Sequence, residues 1–560
     1  MVKIVLILSI PLTLKSQKWE RMPMVSKTLQ DAGNMGGEGG QWPRGIYYSS
    51  DPDFLMIAID VGGLYRSLDA GNTWQICMVG WNARGCNDIA IDPKNINHII
   101  AIGGNSGGDY TGDDNGIYVS VNKAASWQQT LKTATPEGGK VAIDESSFDT
   151  VAGYCKFAYY SSPDNGFWKS TNGGYSWTKI TADYSSCLVK VHPTKGYVYI
   201  GSPHEANHGF WKSTDGGTTF IRKYDNYLFG LDVISTHPDN VYISGHAKIA
   251  MSEDAGETFF YPGTDWAKDG LPADKPLENI RVSPANPDHM TVWYPGDNWA
   301  WKRWYSNNRG ILWKECSFDN TNAFLPYNVR NGFFAWHPTD ENIVFGIGGD
   351  WITKSTDAGK TFKWSGNGEN AVMVGGGFNI NPESPNTILL AFQDYNGAFT
   401  LDGGNTWNYR DISGKGWGGY CYGGYAIDSA IMWVGDAASW GGPRNLRISK
   451  NGGTTWVSTG NIFEGPDISY SSPLDNDVAF ASNWRTDDKG DTWRKMDGCD
   501  GVFTSNPTGE RELYGKKGDN IVVSYDKGLH WITLAKFLVA FQISPMIIYE
   551  TVFLSRQVTG

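Results

Sequence analysis

Two aspartates in this 560-residue chain share a local frame. Asp60 opens D-V-G-G-L-Y (residues 60–65) and Asp394 opens D-Y-N-G-A-F (residues 394–399), so both read D-x-x-G-x-aromatic at the start of a strand. Two carboxylates meeting over one bond can divide acid–base work, one delivering a proton to a departing group while the other activates water. Asp350, in G-G-D-W-I-T-K-S, is a further acidic residue near a strand end, but its spacing departs from D-x-x-G.

The elements that position these residues are repeats. The pattern S-x-D-x-G-x-T-W recurs as SLDAGNTW from Ser67, STNGGYSW from Ser170, STDGGTTF from Ser213, SEDAGETF from Ser252, STDAGKTF from Ser355, TLDGGNTW from Thr400, SKNGGTTW from Ser449 and TDDKGDTW from Thr486. Degenerate copies start at Ser120, Ser306 and Ser524, giving eleven boxes spaced 37 to 54 residues apart. That period fits one four-stranded β-propeller blade per box, and no sustained helical apolar period competes with it. In each box the Asp or Asn accepts backbone N–H groups of a tight hairpin, Gly supplies a positive φ, and Trp or Phe anchors the turn. Asp69, Asp215 and Asp402 are therefore expected to be scaffold rather than acid catalysts. A short strand precedes each box, as in GLYRS and GFWKS, and Pro-bearing turns such as IDPKNINHII punctuate the blades.

Asp60 leads into box one and Asp394 into box eight. Counted in sevens, these are equivalent blades of two successive seven-bladed propellers, so pseudo-symmetry predicts that the two aspartates face each other across an inter-domain cleft. Residues 57–74, IAIDVGGLYRSLDAGNTW, resemble the opening of glycoside hydrolase family 74, the xyloglucan-degrading enzymes. The resemblance implies an all-β fold of tandem seven-bladed β-propellers, two catalytic aspartates facing a cleft, and hydrolysis that inverts the anomeric centre. Carried over residue by residue, it implies catalytic roles for Asp60 and Asp394, with Asn396 standing where the motif has its first Gly. Asp60 as base and Asp394 as acid is the order adopted, although the sequence is compatible with either. Asp boxes are shared with sialidases and sortilin-type receptors, so the paired D-x-x-G motif is what discriminates.

A polysaccharide cleft also needs flat apolar surfaces for the C–H faces of sugar rings. The stretch YPGDNWAWKRWY crowds Trp299, Trp301 and Trp304 and does not fit the blade pattern, while Trp417 and Trp440 stand among glycines. All five are candidate substrate-binding residues, with ordinary blade packing as the alternative.

Composition narrows the classes. Gly at 69 and Trp at 25 mark a turn-rich, aromatic-rich β protein. Forty-seven basic against 59 acidic side chains leave a net charge of −12, which disfavours nucleic acid and anionic membrane surfaces as partners. There is no nucleotide loop and no His/Cys metal spacing, so no cofactor and no metal are expected. The seven cysteines form no C-x-x-C pair, and an odd number cannot all be bridged.

The expected layout is a signal peptide over residues 1–17, an N-terminal seven-bladed propeller over 18–375, a partial C-terminal propeller over 376–535 and an atypical apolar tail over 536–560. Fourteen blades are needed for two complete rings and eleven boxes are visible, so the second propeller is expected to be incomplete. The resulting expectation is an extracellular, monomeric glycoside hydrolase with a polysaccharide substrate. The rivals are a non-catalytic Asp-box propeller of the sortilin type and, with less support, a sialidase, for which no early arginine motif is present.

Overall fold

The computed structural model describes residues 24–536 except 36–41, 61, 105–113, 134–136, 164–165, 247, 264–270, 273–274, 295–301, 320, 322–323, 326–331, 370–374, 376–378, 417, 464–468, 473–474, 476 and 507–511. The expected signal peptide and all of the apolar tail beyond Lys536 lie outside these residues. The fold is nearly all β: among the described residues the one α-helix is α1 (Lys27–Asp31), a single turn and a half capped by the Ser26 hydroxyl.

The first sheet shows the plan. Strands β1 (Pro43–Tyr48), β2 (Leu55–Ile59), β3 (Gly63–Ser67) and β4 (Gln75–Ile76) form an antiparallel meander in chain order. Every residue of β2, LMIAI, is buried, as a strand covered on both faces requires. The outer β4 is exposed. Box one is the hairpin between β3 and β4, and each later box likewise lies between the last two strands of its own sheet, except box five, which follows the last strand of a three-stranded sheet and is closed by the isolated bridge Met251–Phe260.

Box chemistry follows the expected logic with one addition. The Asp69 carboxylate accepts the Ser67 hydroxyl (2.7 Å), the Thr73 N–H (2.9 Å) and the Thr73 hydroxyl (2.6 Å), while Ser67 Oγ accepts the Gly71 N–H at 2.8 Å. Asp215, Asp254, Asp402 and Asp488 hold the same bonds. The addition is that two consecutive residues, Ala70 (φ 59°) and Gly71 (φ 78°), are left-handed, and in the degenerate second box Lys123 and Ala124 adopt φ of 53° and 61° without any glycine. The closed hydrogen-bond ring of the box compensates for that strain.

Seven sheets of three to five strands fill residues 43–364, with a two-stranded ribbon, Phe148–Asp149 against Tyr154–Cys155, between two strands of the third. One edge strand of each, Pro43–Tyr48, Cys86–Ile91, Lys140–Ile143, Leu188–Val191, Leu228–Ile234, Glu278–Val282 and Phe333–Trp336, packs on the next, and the seventh packs back on β1; the seventh sheet also takes in Ser317–Asp319, parallel to Thr361–Trp364 at its far edge. The first and seventh sheets share one core, in which Leu55, Ile57 and Trp74 meet Phe345, Ile347 and Ile352. The latch there is polar as well: the Trp74 N–H donates to the Asn367 carbonyl (2.8 Å) and its indole to the Ser365 carbonyl (2.8 Å). Trp127 of box two bonds in the same way to Val79 and Cys77, just after β4.

Four further sheets follow, between Ile388 and Lys536, each carrying one box. For box eight the segment that receives the hairpin Trp is the start of the described chain, since the Trp407 N–H donates to the Val25 carbonyl at 2.7 Å. Met24, Val25 and Leu29 pack there with Trp351 of the seventh sheet and with Ile388, Phe392, Tyr395 and Trp407 of the eighth.

Candidate active site

Asp60 stands directly after β2, where the chain turns into β3. Its N–H donates to the Trp42 carbonyl at 3.2 Å, which ties it to the segment entering β1. Its carboxylate is 17% exposed and lies 3.3 Å from the guanidinium of Arg44 on β1, which also pairs with Glu137 at 2.8 Å. The neighbouring sheet approaches so closely that a Cβ on Gly85 would lie 1.7 Å from the Asp60 carbonyl oxygen, so glycine is required at that position.

Asp394 occupies the equivalent turn between the strands Ile388–Phe392 and Asn396–Thr400. It is left-handed (φ 70°), as is Asn396 (φ 66°), and Asp and Asn tolerate this region better than other non-glycine residues. Asn396, the departure from the motif, is fully buried and organises the adjoining loop. Its side chain accepts the Ser413 N–H (2.8 Å) and donates to the Gly416 carbonyl (2.6 Å), while its backbone N–H donates to Gly419. The Gly418 N–H donates in turn to the Asp394 carbonyl at 2.6 Å.

A hydrogen-bonded run joins the two aspartate turns. Asp350, buried at 4% exposure just before the strand Trp351–Ser355, accepts the Trp42 N–H at 3.0 Å on one carboxylate oxygen and the Tyr395 hydroxyl on the other. Trp42 holds the Asp60 N–H, and Tyr395 follows Asp394 in the chain.

The candidate sugar platforms divide. Trp440 is 70% exposed, and its indole N–H reaches Gln393, next to Asp394, at 3.3 Å. Its ring is exposed next to the residue that precedes Asp394. Trp304 does not: it is 2% exposed, stacks on Tyr294 with centroids 4.8 Å apart, and belongs to a core with Val292 and Trp313. The expectation of a sugar platform at Trp304 is corrected to blade packing, because Lys302–Ser306 is the ordinary strand leading into box six. Trp299, Trp301 and Trp417 lie outside the described residues.

The mutually packed edge strands of the seven sheets carry further charge. Tyr47 donates to Asp88 at 2.7 Å, Lys190 lies 3.5 Å from Asp232, and Arg281 donates to the carbonyls of Ile280 and Leu231. Glu278 opens its strand there, and burial pushes its carboxyl up to about 7 against the opposing pull of Lys140. Among the described residues no group of three or more His, Cys, Asp and Glu side chains is arranged to hold a metal ion, and no helix is long and apolar enough to cross a membrane.

No family model matches the chain. Over 163 residues it is 27% identical to a xyloglucanase from Hypocrea jecorina, a match covering 26% of this chain and 18% of that protein. Over 160 residues it is 24% identical to a xyloglucanase from Acetivibrio thermocellus, again covering 26% and 18%. The matched stretch thus spans less than a fifth of either relative. Among solved structures, the GH74 enzyme of Niastella koreensis superposes with a TM-score of 0.62 at 17% identity over 89% of this chain and 86% of that one. The GH74 xyloglucanase of Xanthomonas campestris gives a TM-score of 0.55 at 15% identity over 90% and 94%. An ancestral GH74 enzyme gives 0.61 at 14% identity over 90% and 84%. The chain is therefore similar in sequence to xyloglucanases over part of its length, and its fold is the β-propeller fold of the glycoside hydrolase family 74 enzymes.

Proposed function

We propose that this chain is a secreted glycoside hydrolase that cleaves the β-1,4-glucan backbone of xyloglucan, or of a related branched polysaccharide, with inversion. Asp60 serves as base and Asp394 as acid. The observation that carries this reading is the run from Asp60 through Trp42, Asp350 and Tyr395 to Asp394, which ties the two D-x-x-G turns into one neighbourhood. Inversion requires the carboxyl groups about 6.5–9.5 Å apart, with the nucleophilic water beside the base and the glycosidic oxygen beside the acid. The guanidinium of Arg44, 3.3 Å from Asp60, complements a carboxylate that must be charged to deprotonate water. Asp394 then protonates the leaving oxygen, and the exposed face of Trp440 supports a sugar ring near it.

In this reading residues 18–375 form a seven-bladed propeller and residues 376–535 a partial second one, after an export signal over 1–17. The four sheets of the second part favour one alternative, a propeller that binds glycan without turning it over. The test is to incubate the protein and its Asp60→Ala and Asp394→Ala variants with xyloglucan and to measure new reducing ends. Activity in the parent, lost by about 10³-fold or more in both folded variants, is expected. Binding of xyloglucan without any new reducing ends would select the alternative.

A further inference from the structure

We propose that Asp350 is a positioning residue that sets the two aspartates against each other, an inference that rests on the hydrolase reading above. Its place in the fold is unusual. It precedes the strand Trp351–Ser355 of the seventh sheet, accepts from the Trp42 N–H on the approach to the first sheet, and accepts from the Tyr395 hydroxyl in the eighth. One side chain thus joins segments of three sheets, meeting the Asp394 turn directly and the Asp60 turn through Trp42.

Burying a carboxylate is costly unless donors offset the lost hydration. At 4% exposure Asp350 receives such donors, and they come from the two segments whose relative position the proposed chemistry depends on. On one side Trp42 passes the constraint to Asp60 by accepting its N–H at 3.2 Å. On the other, Tyr395 is a buried member of the cluster with Trp351, Phe392 and Trp407, and its backbone adjoins that of Asp394 at φ 70°. A turn held in the left-handed region persists only when its surroundings over-determine it. The Tyr395 hydroxyl is one of those determinants.

The chemistry also explains why the residue is an aspartate. An ionised carboxylate offers acceptors on both oxygens, whereas the amide of asparagine offers one acceptor and one donor. In Asp350→Asn the amide oxygen can still accept the Trp42 N–H, but the Tyr395 hydroxyl then meets an NH₂ and must turn from donor to acceptor, so the charge-assisted bond on that side is lost while side-chain volume stays constant. Tyr395→Phe breaks the same bridge from the other end and keeps the ring in its cluster.

The experiment compares the parent protein, Asp350→Asn, Tyr395→Phe and the double variant by xyloglucan kinetics and by hydrogen exchange of the segments around 42–60 and 393–419. Each single variant is expected to lower kcat by about 10- to 100-fold, the scale of a misplacement near 1 Å, with KM changed less than about threefold. The double variant should be no worse than the poorer single one, since the two residues act as a unit. Exchange should rise in both segments in Asp350→Asn. A folded Asp350→Asn with parental kcat, or with exchange raised on one side alone, overturns the proposal, and if Asp350→Asn does not fold, Tyr395→Phe decides by the same readouts. A parent protein inactive on every β-glucan defeats the hydrolase reading instead, and the exchange of the two segments then still decides whether Asp350 couples them.

Discussion

Replacing Glu278 by Gln should stabilise this protein in a way that depends on pH. The carboxyl opens the first strand of the sixth sheet, and burial raises it from an ordinary 4.5 to about 7, with Lys140 pulling the other way. Below pH 4.5 the residue is protonated in both folded and unfolded chains and contributes no difference. Between 4.5 and 7 the folded protein keeps a proton that the unfolded chain releases, so stability falls as pH rises; above 7 the loss is complete. A displacement of that size corresponds to a ceiling of about 3 kcal/mol. Part of the side chain meets water, so about half of that is expected. Thermal unfolding of parent and Glu278→Gln at pH 4.5 and pH 8.5 should therefore show a gap that widens at the higher pH by a few degrees, roughly 3 °C for a unit of this size. A gap equal at the two pH values would mean that the carboxylate is charged and solvated in the folded protein, and the reasoning from burial would fail.

Two further outcomes follow from the geometry. Trp440→Ala removes an exposed ring beside Gln393 and should raise the half-saturating xyloglucan concentration about fivefold, the scale of about 1 kcal/mol for one aromatic contact, while leaving thermal unfolding unchanged. Trp74→Ala, in contrast, empties a 1%-exposed site where the first and seventh sheets meet and should cost about 3–5 kcal/mol in denaturant unfolding.

Much of the scaffold was legible because each box is a local device. Ser67, Asp69, Gly71 and Thr73 close their ring within seven residues, so the string S-x-D-x-G-x-T-W predicts the hairpin wherever it occurs, and ten of the eleven boxes do lie between the last two strands of a sheet, the fifth being closed by a single bridge. The misreading of Trp304 was avoidable by the same logic. Ser306 opens a box, so the five residues ending there are the strand before it, and Arg303 and Trp304 occupy the slots held by Phe167 and Trp168 three repeats earlier. Asp350 and Asn396 were harder to read. Asp350 draws its meaning from Trp42 and Tyr395, which are distant in sequence, and Asn396 looked like damage to a motif until its bonds to Ser413 and Gly416 gave it a task that glycine cannot perform. Local patterns encode turns; partners brought together by the closing of a ring leave no periodic trace.

The bond from the Trp407 N–H to the Val25 carbonyl also bears on how the chain matures. The stretch around Val25 and Leu29 is synthesised early, yet its resting place on the eighth sheet exists only after hundreds of later residues have left the ribosome. Until then that apolar strip lacks its partner. A truncation reaching Leu29 would spare every blade and still strip box eight of its counterpart.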